Sequence, residues 1–317
     1  MKPYFYSADE YLKETFGKKI FRLSLEGGKT CPNRDGSVGY GGCVFCSASG
    51  SGDFAAPRTG SVSEQIETAK AQVKNKLPKN GALYGYVAYF QSFTATYAPV
   101  DYLEPLFTEA LMHPDIEGLF LGTRPDCLPE PVLELLSRLS MTKPVYVELG
   151  LQTAKEESVR YINRCYDNSV FEDAVHKLHA RNLPVIVHCI LGLPYETPDD
   201  MQRTIDYVCS LPVHGIKLQL LHILKGTRLA NDYEALCNNQ AFACMERTAY
   251  IDTLLTLIPR IPAHIVLYRL TGDGPRKLLL APLWSTDKKR IQNDLQKALK
   301  EKNIIQGGTT PLCNLNH

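Results

Sequence analysis

Between residues 19 and 223 the sequence alternates strand-length and helix-length segments, and this alternation restricts the fold more than any other feature. Runs rich in β-branched and aromatic residues at 19–25, 83–90, 116–122, 145–151, 184–191 and 215–223 read as strands. Segments 63–77, 100–112, 131–139 and 198–210 read as helices, with further helical stretches between 152 and 181. Ser61 or Ser63 is placed to cap the first, and Pro131 stands at the start of the third. Strands separated by helices of this length join as right-handed crossovers, which gives a parallel sheet. Six such units imply an α/β fold: a partial (β/α)6 TIM-like barrel over 19–224, after an N-terminal segment 1–18 and before a C-terminal α+β extension 225–317. In the extension, 228–237 and 241–257 read as helices, 264–270 as a strand, 287–302 as a basic amphipathic helix and 307–317 as an irregular tail. Chemistry in such barrels collects at the carboxyl ends of the strands.

Composition narrows the class. The hydrophobic fraction of 44% and charged fraction of 22% suit a soluble globular chain, and a net charge of +1 gives no gross sign of nucleic-acid binding. No run of about 18 apolar residues is present to span a membrane. The opening MKPYFYSADEYLKETFG lacks the apolar core of a signal peptide, so the cytoplasm is the expected location. Ten cysteines in a chain of 317 residues without such a signal do not suggest a disulfide scaffold.

Three of them lie in TCPNRDGSVGYGGCVFC, the Gly-rich loop after the first strand. Eleven residues separate Cys31 from Cys43, and two separate Cys43 from Cys46. Cys127, Cys165, Cys189, Cys209, Cys237, Cys244 and Cys313 form no close pair. Thiolates hold iron–sulfur clusters, as a rule four to a cluster. Three would leave one iron open to the amino and carboxylate groups of a methionine. On spacing alone, structural zinc stays open if a distant residue supplies the fourth ligand. A redox CxxC also stays open, although it leaves Cys31 without a part.

Together with the motifs downstream, this loop resembles the radical S-adenosylmethionine (radical SAM) superfamily. It looks closest to the Elongator-catalytic-subunit-like branch and its YhcC/YtqA-type, wobble-uridine-modifying group. The common superfamily spacing is CxxxCxxC; the long first gap here is shared with that branch. The resemblance implies that Cys31, Cys43 and Cys46 hold a [4Fe-4S] cluster and that Phe45 touches the adenine of S-adenosyl-L-methionine. The family's Gly-rich turn after strand two, which binds the methionine amino group, is here Gln91-Ser92-Phe93-Thr94, leaving backbone carbonyls and Ser92 or Thr94 for that contact. Thr123-Arg124-Pro125-Asp126 matches the branch's TRPD. Gly122 replaces the Glu that commonly precedes it, a contact Glu148 is placed to supply. Glu148-Leu149-Gly150-Leu151-Gln152 resembles the fourth-strand motif, whose Gln approaches the ribose. Asn163-Arg164 resembles the pair whose Arg approaches the methionine carboxylate. His188 stands at a ribose-side polar position, and Leu191-Gly192-Leu193-Pro194 with Glu196-Thr197 resembles the segment lining the adenine. Singly, each has a plainer reading: an Arg124–Asp126 ion pair, a helix cap at Gln152, a solvated Arg164, a core histidine at 188. Their order over about residues 18 to 224 carries the resemblance.

The implied activity is reductive cleavage of S-adenosylmethionine to methionine and a 5′-deoxyadenosyl radical, which takes hydrogen from a substrate, with a donor such as flavodoxin or ferredoxin supplying the electron. No residue is assigned to act on the substrate; Tyr97, Tyr166 and Cys127 lie near active-end loops, where packing is their plainer role. The implied substrate is tRNA, with carboxymethylaminomethyluridine converted to aminomethyluridine at the wobble position. Two basic segments accord with it: Arg58, Lys70, Lys74, Lys76 and Lys79 in 57–80, and Arg276, Lys277, Lys288, Lys289, Arg290, Lys297, Lys300 and Lys302 in 273–302. Either is equally a solvated helix face. An acetyltransferase-like domain has no room in the extension. A small-molecule or protein substrate, or a metal-binding scaffold without turnover, are the alternatives.

Overall fold

In the computed structural model, which describes residues 4–28, 30–50, 52–58, 60–272 and 274–308, seven strands form one all-parallel sheet in sequence order. Asp273, Cys313 and the tail from residue 309 lie outside the described residues. Strands β1 (Lys19–Leu25), β2 (Tyr84–Phe90), β3 (Ile116–Thr123), β4 (Val145–Gln152), β5 (Val185–Leu191) and β6 (Gly215–Leu220) lie side by side. After the two-residue β7 (Ile223–Leu224), the seventh member is β8 (Val266–Arg269), the strand read in the extension, which pairs with β6. The sheet curls into a half-barrel. Helices α1 (Ala8–Phe16), α2 (Val62–Val73), α3 (Val100–Met112), α4 (Glu130–Ser140), α5 (Glu156–Tyr161), α6 (Asn168–His179) and α7 (Pro198–Cys209) precede β6 in the chain. Helices α8 (Arg228–Asn238), α9 (Arg247–Leu257) and α10 (Lys288–Glu301) follow it, and β9 (Leu279–Ala281) pairs antiparallel with β7.

The two-residue period of each strand sorts its side chains. Outward residues such as Leu23, Phe90, Leu121, Val147 and Val187 pack with Ile66, Phe107, Leu135, Val175 and Ile205 of the helices in one core. Inward, Ile20, Val87, Phe120, Tyr146 and Ile186 meet Leu12 of α1 and form an apolar floor. The Tyr11 and Tyr146 hydroxyls bond at 2.8 Å. Helix α1 packs on both edge strands, β1 and β8, and so closes the floor where the sheet does not close on itself. Gln306 ties the chain ends together: it accepts from Tyr6 N–H at 2.8 Å and donates to the carbonyls of Pro262 and Ile265.

Ser61, not Ser63, caps α2, through a capping box with Glu64. That helix stops at Val73 and passes into a 3-10 turn at Lys74–Lys76, short of the expected 77. Residues 241–246 are not helical as read. Ala241 uses its carbonyl to accept from Tyr195 N–H at 2.7 Å, and α9 starts only after Glu246. Helix α1 and the β7–β9 pair have no counterpart in the sequence reading. Among the described residues no helix is long and apolar enough to cross a membrane.

Candidate active site

The loop after β1 is pinned along its length. Asn33 donates to the Asn163 carbonyl at 2.5 Å, while Asn163 donates to the carbonyls of Tyr40 (3.2 Å) and Gly42 (3.0 Å). Arg34 donates to the carbonyls of Ala48 and Ser47, and Val44 N–H reaches Ile162 at 3.1 Å. So held, Cys31, Cys43 and Cys46, none of them in a disulfide, line one cavity of about 620 Å³ at the carboxyl end of the sheet. The Asn33 amide stands 3.8 Å from Cys43 Sγ, where it would donate to a ligated sulfur. The neighbouring Cys46 thiol, together with burial, pushes the Cys43 thiol well up. Among the described residues no three His, Cys, Asp or Glu side chains are grouped to hold a single metal ion. A cluster that takes one thiolate on each of three irons does not require such a point, and three cysteines lining one cavity fit it.

Phe45, Gln91, Thr94, Arg124, Glu148, Gln152 and His188 line the same cavity. The turn after β2 takes its sharp bend with Phe93 at φ +55°, the left-handed region that glycine favours. The glycine missing from it stands on the opposing loop instead: a Cβ on Gly28 would lie 2.7 Å from the Ser92 carbonyl oxygen. Glu148 is the register neighbour of Gly122 on the adjacent strand, so a carboxylate does stand beside that position.

Four expected residues are placed otherwise. Arg164 is 1% exposed, neither solvated nor turned to the cavity. Its five N–H bonds go to the carbonyls of Tyr166 (twice), Leu151 and Thr153 and to Asn168 Oδ1, at 2.8–3.0 Å. A guanidinium has five donors, so none remains for a methionine carboxylate, and Arg164 braces the end of β4 against the start of α6. Asp126 forms a two-point pair with Arg124 at 2.6 and 2.9 Å and lines a second cavity with Tyr97 and Cys127. Ser92 is buried beneath the cysteine loop, and a Cβ on Gly192 would meet Met245 Sδ at 2.8 Å. Of the three candidate hydrogen donors, Tyr166 alone lines the main cavity. Its hydroxyl donates to the Gly150 carbonyl and is pushed up by burial, as is the Cys127 thiol.

Beneath the cysteines lies a charged layer that the motifs did not reveal. Glu148, fully buried, accepts from Arg22 (3.1 Å), Tyr89 (2.6 Å), His188 Nε2 (2.7 Å) and Lys217. Burial works against its ionisation, but Lys217, His188 and Arg22 outweigh it and hold the carboxyl well below its usual range. Gln219 bonds His188 Nδ1 at 3.3 Å, which leaves Nε2 to carry the proton given to Glu148. Burial and the Lys217 charge push His188 down to about 4, so it is neutral near pH 7. The Arg22 guanidinium lies over the rings of Phe120 (4.6 Å) and Tyr268 (5.0 Å). Arg269 at the end of β8 also lines the cavity. The signal for Arg22 and Lys217 was available: a charged residue in the interior of a largely apolar strand, at an inward register, in KIFRLSL and GIKLQL.

Residues 28–208 match the Radical SAM superfamily and residues 213–301 the Radical_SAM C-terminal domain. The chain belongs to the radical SAM superfamily. It is 40% identical to YtqA of Bacillus subtilis (strain 168), over 96% of this chain and 92% of that one. It is 35% identical to YhcC of Escherichia coli (strain K12), over 92% and 91%. Among solved structures, archaeal Elp3 of Methanocaldococcus infernus superposes with a TM-score of 0.66 at 14% identity, over 90% of this chain and 64% of that one, a likeness of fold.

Proposed function

We propose that this radical SAM enzyme modifies the 5-substituent of a tRNA wobble uridine, converting carboxymethylaminomethyluridine to aminomethyluridine. Cys31, Cys43 and Cys46 would hold the [4Fe-4S] cluster. Phe45, Gln91, Thr94, Arg124 and Gln152 line the space for S-adenosylmethionine. Bound there, the pair supplies one-electron cleavage of the sulfonium and removal of a substrate hydrogen. The chain's own part is to hold the cysteine loop through Asn33, Arg34 and Asn163, to close the barrel floor to water with α1, and to keep Glu148 ionised among its cations.

The observation that favours tRNA is the meeting of the two basic segments at the cavity. Lys76 in the 3-10 turn after α2 and Lys288 at the start of α10 both line it. They are close enough that Lys76, after burial and Arg269, pushes the Lys288 ammonium down. Adjacent cations at a mouth suit phosphates. The test is the modified-nucleoside profile of tRNA from a deletion strain. Accumulated carboxymethylaminomethyluridine with aminomethyluridine lost supports the reading, and a wild-type profile overturns it in favour of a small-molecule or protein substrate.

A further inference from the structure

The main cavity opens where the sheet does not close. Strands β1 and β8 are the two edges of that sheet. Helix α2, packed on β1, and the segment after β8 both contribute to the lining. Among the described residues of the lining, the exposed ones are Phe54, Gln72, Lys76 and Lys288. They mark the opening. Phe54 stands out among them, because its apolar ring is 50% exposed. The turn that carries it is fixed from several sides. Asp53 accepts from Ser47 at 2.8 Å and from Ser49 at 2.5 Å. Ala55 N–H donates to the Gly52 carbonyl and Ala56 N–H to that of Ser24, both at 2.9 Å. A Cβ on Gly52 would collide with Ser92 Oγ, so the turn lies tight against the loop after β2. Folding therefore holds an aromatic ring in water at the entrance, without the gain that burial would bring. A single exposed apolar residue is commonplace. A ring on a fixed turn, at an opening it shares with an amide and with ammonium groups, is a specific combination. It matches a nucleotide: a π face for the base, an amide for the base edge, a cation for the phosphate.

We propose that Phe54 is a stacking platform for an unpaired nucleobase of the RNA substrate, the neighbour of the nucleotide that enters the cavity. A space of about 620 Å³ has to take the cofactor and the target nucleotide, which leaves the flanking base at the opening. There the exposed face of Phe54 covers it, and Lys76 meets a phosphate of the same strand. Phe54 is thus a positioning residue: it holds the flanking base so that the target points inward. A loop offers unstacked bases and a duplex does not, so the platform selects single-stranded RNA. The inference rests on the tRNA reading above.

The test is binding of a fluorescently labelled anticodon stem–loop RNA to the full chain, reconstituted anaerobically, over a range of salt. The wild type should bind, and Phe54→Ala should weaken binding about tenfold or more, the loss of one base–aromatic stack. Phe54→Trp should bind as the wild type does. Phe54→Leu, apolar but without a π face, should stay weak. The slope of log affinity against log salt should be unchanged in Phe54→Ala and about one unit shallower in Lys76→Gln, which separates stacking from charge. If Phe54→Ala does not fold, the Trp and Leu variants decide. Folded Phe54→Ala or Phe54→Leu that binds as tightly as the wild type overturns the proposal and leaves the tRNA reading intact. A wild type that does not bind the stem–loop also overturns it; the nucleoside profile of the deletion strain then judges the tRNA reading on its own.

Discussion

Two polar regions share one cavity and are built in opposite ways. The rim is a single stretch of chain, residues 31–46, whose three cysteines are held by bonds from Asn33, Arg34 and Asn163 to backbone carbonyls. The layer beneath takes Arg22, Tyr89, Glu148, His188 and Lys217 from five different strands and holds them by side-chain contacts centred on one carboxylate. A contiguous loop can loosen without unfolding the sheet. A cross-braced layer buried inside the sheet cannot lose its central charge without destabilising the whole barrel. On the proposed reading the rim would answer for cofactor retention and the layer for stability.

The largest effect expected from that contrast falls on the layer. Glu148→Gln leaves Lys217 and Arg22 buried without their counter-charge and should cost about 3–5 kcal/mol in denaturant unfolding. A loss below the range of ordinary surface substitutions, about 0.5 kcal/mol, would mean the layer is solvated and the contrast false. Next comes the rim. Asn163→Ala removes the ties to Tyr40 and Gly42 and should cost only about 1–2 kcal/mol. Iron content after reconstitution should fall far more than the unfolding midpoint does. Full iron retention in that variant would show that the loop holds itself.

The smallest effect is on acid stability. His188, His214 and His222 are each pushed down to about 4 by burial, foremost, from an ordinary 6.5. Above pH 6.5 folded and unfolded chains both leave them neutral. Between 6.5 and about 4 the unfolded chain takes up protons that the folded chain refuses. Stability then falls with pH, by up to about 1.4 kcal/mol per unit for each histidine. His214 lies among Tyr11, Tyr146 and Tyr268 at the floor, apart from both polar regions. His214→Gln should flatten the slope by one such increment between pH 6.5 and 4 in urea melts; an unaltered slope would place that titration elsewhere.

Legibility followed the same division. The order of strands and helices was readable because apolar periodicity and caps are local signals, and 264–270 was correctly a strand. Its place as the seventh member of the sheet was not readable, because the chain between β6 and β8 passes through β7, α8 and α9 rather than one crossover helix. The cysteine loop and the Arg124–Asp126 pair were legible as motifs. The role of Arg164 was not: its acceptors are mainly carbonyls of Leu151, Thr153 and Tyr166, which no residue type announces. Lys217 and Arg22 were passed over because neither belongs to a motif, and their meaning arises only when register sets them around Glu148.

The central claim is that Cys31, Cys43 and Cys46 hold a cluster that cleaves S-adenosylmethionine. The direct measurement is 5′-deoxyadenosine release after anaerobic reconstitution and reduction, in wild type and in Cys43→Ala. The account predicts about four irons per chain and 5′-deoxyadenosine from the wild type, and none of the product from the variant. A reconstituted wild type that releases no 5′-deoxyadenosine, or a Cys43→Ala variant that still does, would contradict it.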